Sequence, residues 1–425
     1  MRRTLALLLL AVLIAFACSD GGRGVRVGQS GQEVVAGADD ADAGEVTDAD
    51  AGEVTDGPRP TTSLPSASSS PTTPAPTTPP PTTPTTRAPR SFTMAFTGDL
   101  LLHQRVNAVA AANASDDPAR DFDYTSQLAA LRPLLADVDW AVCHMEVSLS
   151  ADNTRLRPYP VFRAPGDIAR DAKEIGYDTC TTASNHVLDH GPDGVAETLD
   201  VLDEAGLVHT GSARSAVEAA ENIWTELGNV RLAHISYSYG FNGFSVPTST
   251  PWLSNLIDEE RILEHAANAR RQGAEFIVVS LHWGEQYQHA PNWQQKELGP
   301  RLLASPDVDL IIGHHAHVIQ RIDRIDGEWL VYGLGNLLSA SSSQVRRDEL
   351  LVQIEVTEQL DGTFATELRA VPLHLDRPTL TVHLSNPDAR PSDVDPGLSA
   401  QLDASYARVL AVLESGSGWS DLTLG

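Results

Sequence analysis

Five apolar runs in this 425-residue chain each end in acidic, amide or imidazole residues, and that repetition constrains the fold more than any other feature. The runs are "FTMAFTGDLLL" (92–102), "DWAVCHMEVSL" (139–149), "YDTCTTASN" (177–185), "AEFIVVSLHWG" (274–284) and "DVDLIIGHH" (307–315). Their length and composition read as strands. The segments between them, 124–138, 167–176, 194–206, 259–273 and 292–304, carry apolar residues at three- and four-residue spacing, with Gly176, Gly206 and Gly273 as helix stops. Strand and helix in alternation predict an α/β fold around mostly parallel sheet. Beyond residue 318 the pattern turns to strand, with hairpins expected at Asp326-Gly327 and Asp361-Gly362 and a further strand pair within 222–239. A closing helix is expected over 399–414. Two sheets with helices outside both, a four-layer α/β/β/α sandwich, accommodate all of these elements.

The first 90 residues cannot join that core. "MRRTLALLLLAVLIAFAC" has two arginines, an apolar run and a small residue before Cys18. This is the layout of a secretory signal rather than of a spanning helix, which needs about 20 apolar residues. Cysteine after a small residue also matches a bacterial lipobox, so lipidation at Cys18 and a tethered extracytoplasmic protein are expected, with plain secretion as the alternative. Residues 19–90 combine the tandem "DADAGEVT" repeat (40–47 and 48–55) with "PTTPAPTTPPPTTPTTRAP" (71–89). Such composition predicts a solvated, extended stalk. The expected organisation is therefore a signal over 1–18, a stalk over 19–90, one folded α/β domain over 91–378 and a C-terminal extension with a closing helix over 379–425.

Of 57 acidic and 30 basic residues, the first 90 positions hold 10 and 7, which leaves a net charge of −24 beyond them. That surface repels nucleic acid and anionic lipid, so no nucleic-acid partner is expected and membrane contact is expected only through the N-terminal anchor. A polyanionic substrate would need metal ions or placed arginines. Cys143 and Cys180 each lie on an expected strand and either form one disulfide or remain two buried thiols.

In open α/β sheets the site lies beyond the carboxyl ends of the strands. Here those ends deliver Asp99 with His103 four residues on, Glu146, Asn185 with His186, His282 with Glu285, and His314, His315 and His317. Carboxylates, an amide and imidazoles without thiolate suit hard or borderline divalent ions such as Mn, Fe or Zn. His315 and His317, at i and i+2, are expected to point together into the cleft, and His314 to face the other way as a packing or supporting residue.

These residues also carry a resemblance. "FTGDLLLH", "CHMEVSLS", "FRAP", "TASNHVLDHG", "SLHWGEQY", "GHHAHVIQ" and "YGLGNLL" follow in order the blocks of the bacterial capsule-synthesis CapA proteins, the poly-γ-glutamate-associated branch of the calcineurin-like metallophosphatase superfamily. The resemblance spans about residues 92 to 340 and implies the four-layer metallophosphatase fold. It implies that Asp99 binds a first metal, that Glu146 takes the place of the bridging aspartate, that Asn185 binds a second metal, and that His282, His315 and His317 complete the pair. His186 matches the histidine that meets the scissile group and protonates the leaving atom, and Asp189 would orient its ring. Leu101 stands where the superfamily has a histidine, and His103 either substitutes for it or hydrogen-bonds nearby. One ion instead of two is the alternative that this departure leaves open.

Two ions would activate a water toward a phosphoryl or carbonyl centre, with His186 as general acid. Arg163 either holds an anionic substrate group or pairs with a surface acid, and Glu285 and Tyr287 either line the cleft or pack. The expected function is an exported, metal-dependent hydrolase or transfer factor in synthesis, anchoring or trimming of an anionic cell-surface polymer such as poly-γ-glutamate, with membrane synthase subunits as possible partners. An extracellular metallophosphoesterase and a non-enzymatic assembly scaffold are the alternatives.

Overall fold

The computed structural model describes residues 88–221 and 223–425, the side chain of Ile223 excepted. The expected signal segment, Cys18 and most of the stalk lie outside the described residues. Strand β1 (Ser91–Leu100) leads into helices α1 (Gln104–Asn113) and α2 (Arg132–Ala136), strand β2 (Trp140–Met145) and the short pair β3 (Ser148–Ser150) and β4 (Arg163–Pro165). Next come α3 (Asp167–Ile175), β5 (Thr179–Thr181), α4 (Gly191–Glu204), β6 (Val208–Thr210), α5 (Ala216–Ala220), β7 (Ile223–Leu227) and β8 (Val230–Ser238). The chain continues through α6 (Glu259–Arg271), β9 (Phe276–His282), α7 (Trp293–Leu303) and β10 (Leu310–His314). Strands β11 (Ile322–Ile325), β12 (Glu328–Val331), β13 (Asn336–Leu338), β14 (Asp348–Glu358), β15 (Phe364–Leu375) and β16 (Val382–Leu384) precede α8 (Pro396–Leu413) and β17 (Thr423–Leu424).

One sheet runs β16-β15-β14-β1-β2-β5-β6, with β13 beside β1 and β17 beside β15; the other runs β11-β12-β10-β9-β8-β7. Strands β1, β2, β5 and β6 are mutually parallel, as are β8, β9 and β10. Each parallel set therefore brings its carboxyl ends to one edge.

Side-chain alternation divides the interior into three cores. Met94 and Phe96 of β1 and Trp140 and Val142 of β2 pack between the sheets against Phe276, Val278, Leu310 and Ile312. Ala95, Cys143 and Met145 face the opposite way, onto α1, α3 and α4 through Val106, Ile168, Ala172 and Leu199. Ile277, Val279 and Leu281 of β9 face α6 and α7 through Ile262, Ala266, Leu298 and Leu302. The central strands thus read largely apolar on both faces, and the result is the four-layer α/β/β/α sandwich expected from the sequence.

Local chemistry fixes the helices. An Asn292/Gln295 capping box starts α7, Asp258 caps α6 by accepting from the Arg261 N–H, and Gly176 ends α3 with φ 123°. The helix expected over 124–138 shrinks to a 3-10 turn and the five residues of α2, where Pro133 lies in the first turn. Proline has no N–H to bond a preceding turn, so the helix cannot extend upstream through it. Helix α1 was not expected, because its buried stripe is only Val106 and Ala110 among other small residues.

Cys143 lies opposite Cys180 on adjacent β2 and β5, with Cα atoms 4.5 Å apart, and the two form a disulfide. Residues 379–425 are built into the same domain rather than appended to it. Strands β16 and β17 both pair with β15, and Val409 and Leu413 of α8 enter the inter-sheet core. Asp348 of β14 ties α8 down by accepting from Ser405 Oγ (2.6 Å) and Arg408 Nε (2.6 Å). Among the described residues no helix is long and apolar enough to cross a membrane.

Candidate metal centre

Two glycines let the connection from β12 in one sheet to β13 in the other pack against the ends of β1 and β10. A Cβ at Gly98 would lie 2.3 Å from the Gly335 carbonyl oxygen, and one at Gly313 would lie 2.0 Å from that of Tyr332. Only glycine permits either approach. They immediately precede Asp99 and His314, whose side chains meet across the edge with His314 Nδ1 3.0 Å from Asp99 Oδ1. Asp99 is further held by its own N–H, which donates to the Gly335 carbonyl at 2.9 Å.

Around Asp99 the side chains fall into two groups that share it. Asp99, His144 and His282 offer ligand atoms within 4.8 Å of one another, and so do Asp99, Glu146 and His317. His317 Nδ1 is 3.2 Å from Asp99 Oδ2, and His317 Nε2 is 3.6 Å from Glu146 Oε1. On the other side His282 Nδ1 is 2.9 Å from His144 Nε2, while His282 Nε2 is 3.1 Å from both His315 Nδ1 and Asn185 Oδ1. All of these residues are buried.

Whether a cation suits this set is decided by what the side chains lack. Both oxygens of the fully buried Glu146 are without a hydrogen-bond partner among the described residues. Leaving a carboxylate so placed costs several kcal/mol unless a cation or proton joins it. The nitrogens of His282 face His144 Nε2 on one side and His315 Nδ1 and Asn185 Oδ1 on the other, which gathers several potential ligand atoms in one buried space. A divalent ion among these ligand atoms relieves the Glu146 carboxylate, and Asp, Glu, Asn and His are the types such ions take.

Protonation agrees with that. Burial pushes the His282 and His144 rings well below the ordinary histidine value, and His315 down to about 3, so all three are neutral at neutral pH, as ligands must be. Burial alone would raise Asp99, but hydrogen bonds from His314 and His317 overcome it and hold the carboxyl well below the usual range. Burial pushes Glu146 up to about 7, and against its own burial the charges of Glu146 and Asp99 push His317 up to about 9. Without a cation, His317 supplies the positive charge that this carboxylate pair requires.

His186 stands beside the cluster. Its Nδ1 is 2.8 Å from Asp189 Oδ2, which also accepts the Phe162 N–H at 2.6 Å. Asn242 Nδ2 lies 3.3 Å from His186 Nε2, and the Phe162 ring lies edge-on at 4.8 Å. His103 also lies against that ring, 5.6 Å away, with Nδ1 3.1 Å from the Leu101 carbonyl oxygen.

Other expected residues lie elsewhere. The Arg163 guanidinium is buried against Glu197 of α4, with Nη2 2.6 Å and 2.5 Å from the two carboxylate oxygens. It is occupied by a protein acid rather than presented to a substrate. Glu285 is exposed beyond β9. The expectation that His314 faces away is corrected, since it contacts Asp99 and stacks on His144 at 4.1 Å. His314 continues the alternation of β10 on the inter-sheet face of Leu310 and Ile312, toward Asp99, and the left-handed backbone that follows, φ 88° at His315 and 53° at His317, turns those two histidines to the same cluster. Sequence reasoning also passed over His144 as a ligand, and over Asn336, which lies opposite Asp99 on β13 and accepts from His317 Nδ1 at 2.9 Å. The signal for His144 was present: it is the next-to-last residue of β2, two residues before Glu146.

Residues 93–341 match the family described as Bacterial capsule synthesis protein PGA_cap, and the chain belongs to that family. It is 24% identical over 296 residues to the Capsule biosynthesis protein CapA of Bacillus anthracis, covering 68% of this chain and 69% of that protein. With the PGA biosynthesis protein CapA of Bacillus subtilis (strain 168) it shares 24% identity over 284 residues, 66% of this chain and 71% of the relative. Among solved structures, a 5′-nucleotidase precursor from Thermus thermophilus aligns with a TM-score of 0.43 at 16% identity. That alignment covers 76% of this chain and 60% of the other, less than two thirds of its length.

Proposed function

We propose that this chain is an exported, metal-dependent hydrolase or transfer factor acting on an anionic cell-surface polymer of the capsule or poly-γ-glutamate kind, tethered through Cys18. The observation that carries this reading is the buried Glu146 carboxylate, without partners beside Asp99 and His317, next to an oriented His186–Asp189 pair. Asp99, Glu146 and His317 would hold one divalent ion, and His282, His144, His315 and Asn185 a second, with Asp99 common to both. Such ions supply Lewis-acid activation of water and of a phosphoryl or carbonyl group.

The chain's own residues contribute the proton chemistry. Asp189 accepts from His186 Nδ1 and fixes the ring, which leaves Nε2 as the nitrogen that can give a proton to a departing oxygen or nitrogen. Asp189 is fixed in turn by the Phe162 N–H. Phe162 shields one flank of the His186 ring from water. The test is turnover of poly-γ-glutamate and of an aryl phosphate by the purified full chain with added Mn. His186→Ala should lower turnover by about 10²- to 10⁴-fold while metal content stays at the wild-type value. Turnover of the aryl phosphate alone would favour the phosphoesterase alternative. No turnover of either probe by a metal-loaded wild-type chain would overturn the enzymatic reading in favour of a scaffold.

A further inference from the structure

Arg163 is bound to Glu197, so the centre needs another group to receive a negatively charged substrate. One guanidinium is built into the wall of the site. The Arg346 guanidinium carbon lies 3.3 Å from the centre of the Tyr287 ring, whose centre in turn lies 6.0 Å from that of the His317 imidazole. Both members of this stack are pinned next to the ligand histidines. The Tyr287 N–H donates to the Ala316 carbonyl at 2.7 Å, and the Arg346 carbonyl accepts from Asn336 Nδ2 at 2.9 Å, while Asn336 Oδ1 accepts from His317 Nδ1. Tyr287 holds a left-handed backbone, φ 66°, which a bulky non-glycine residue adopts only when its surroundings require it. That conformation presents a half-exposed ring at the mouth of the centre.

Among the described residues Arg346 has no acidic partner, in a chain whose net charge beyond residue 90 is −24. Other arginines also lack one, and what marks Arg346 is its stack on the Tyr287 ring beside His317. Stacking on an aromatic face occupies the flat side of the guanidinium and leaves its N–H edge free for a planar or tetrahedral anion.

We infer that Arg346, oriented by Tyr287, is the specificity-determining residue that receives a carboxylate or phosphate of the substrate at the metal centre. This rests on the proposed function for the identity of the polymer, but anion binding at Arg346 is separable from turnover. The Arg346 guanidinium offers N–H donors and no acceptor, so the group it receives must itself be an acceptor such as a carboxylate or phosphate.

The experiment is binding of a fluorescently labelled poly-γ-glutamate oligomer, and separately of inorganic phosphate, to the full chain loaded with Mn. Variants would be Arg346→Ala, Arg346→Lys and, as an equal-charge control far from the centre, Arg301→Ala, with metal content measured for each. Arg346→Ala should weaken at least one of the two probes by tenfold or more at unchanged metal content, Arg346→Lys should weaken it less, and Arg301→Ala should leave it unchanged. Loss for the oligomer alone identifies a carboxylate as the ligand, and loss for phosphate alone a phosphoryl group. Equal affinities of Arg346→Ala and wild type for both probes would overturn the inference. A wild-type chain that binds but does not turn over would count against the enzymatic reading alone.

Discussion

The strand-end rim and the interior of β14 each bury a glutamate completely, and in each case neither carboxylate oxygen has a hydrogen-bond partner among the described residues. The surroundings separate them. Glu146 lies 3.6 Å from His317 and shares its neighbourhood with Asp99, four histidines and an asparagine, and its carboxyl is pushed up only to about 7. Glu349 lies on the helix-facing side of β14, and burial, reinforced by the charge of Asp348, pushes its carboxyl well above the ordinary value. A lone carboxyl in a core stays protonated, whereas one inside a nest of donors waits for a cation. The rim is therefore a place where folding stability was given up for function, and the β14 interior is a place where a polar group is merely tolerated.

The largest expected effect falls on the rim. Glu146→Gln removes the charge that the donor nest requires, so bound divalent metal should fall to background by elemental analysis, with turnover lost by roughly 10³-fold or more, on the order expected for removal of a metal ligand's chemistry. Retention of stoichiometric metal in Glu146→Gln would make the two glutamates equivalent and break the comparison. Next in size is the pH dependence of metal binding to wild type. In the metal-free chain Glu146 titrates near 7 and His317 near 9, so an ion must displace a proton from each below those values. Affinity should rise with pH, by roughly tenfold per unit for each proton displaced, and flatten above about 9. A flat profile between pH 6 and 9 in a calorimetric titration would contradict the assignment of these two side chains as ligands.

The smallest effect belongs to β14. Glu349→Met removes a partnerless carboxyl from the core and should raise unfolding free energy at pH 8 by about 1 to 3 kcal/mol, with metal content unchanged. The sign follows from its raised value: below pH 4.5 both folded and unfolded chains hold the proton and only the cost of burying the neutral carboxyl remains, and the advantage grows as pH rises above the unfolded value. Denaturant midpoints at pH 4 and pH 8 check it. The disulfide offers a reference of similar size, since Cys143→Ser with Cys180→Ser should cost about 2 to 4 kcal/mol without touching the metal.

Much of the fold was legible because it is written in periodicity. The five buried runs, the two Asp-Gly hairpins and the helices ended by Gly176, Gly206 and Gly273 all appear where the pattern placed them. Helix α1 was missed because alanines make a faint stripe, and α2 was overextended because Pro133 interrupts what periodicity alone joins. At the site, the rule that strand ends carry function brought Asp99, Glu146, Asn185, His282, His315 and His317 together, since parallel strands share a direction. What failed was orientation and partnership. His314 meets Asp99 as part of the inward face of β10, the left-handed turns at His315 and His317 bring those rings to the same cluster, and nothing local says that Arg163 meets Glu197 of α4 while Arg346 meets Tyr287. Those pairings are long-range packing outcomes that a one-dimensional pattern does not carry.

The most direct measurement is metal content of the purified full chain, with stoichiometry, compared with Glu146→Gln and Glu349→Met. Two divalent ions per chain in wild type and in Glu349→Met, with loss in Glu146→Gln, is the predicted result. No bound ion in wild type, or the same content in all three proteins, would contradict the account.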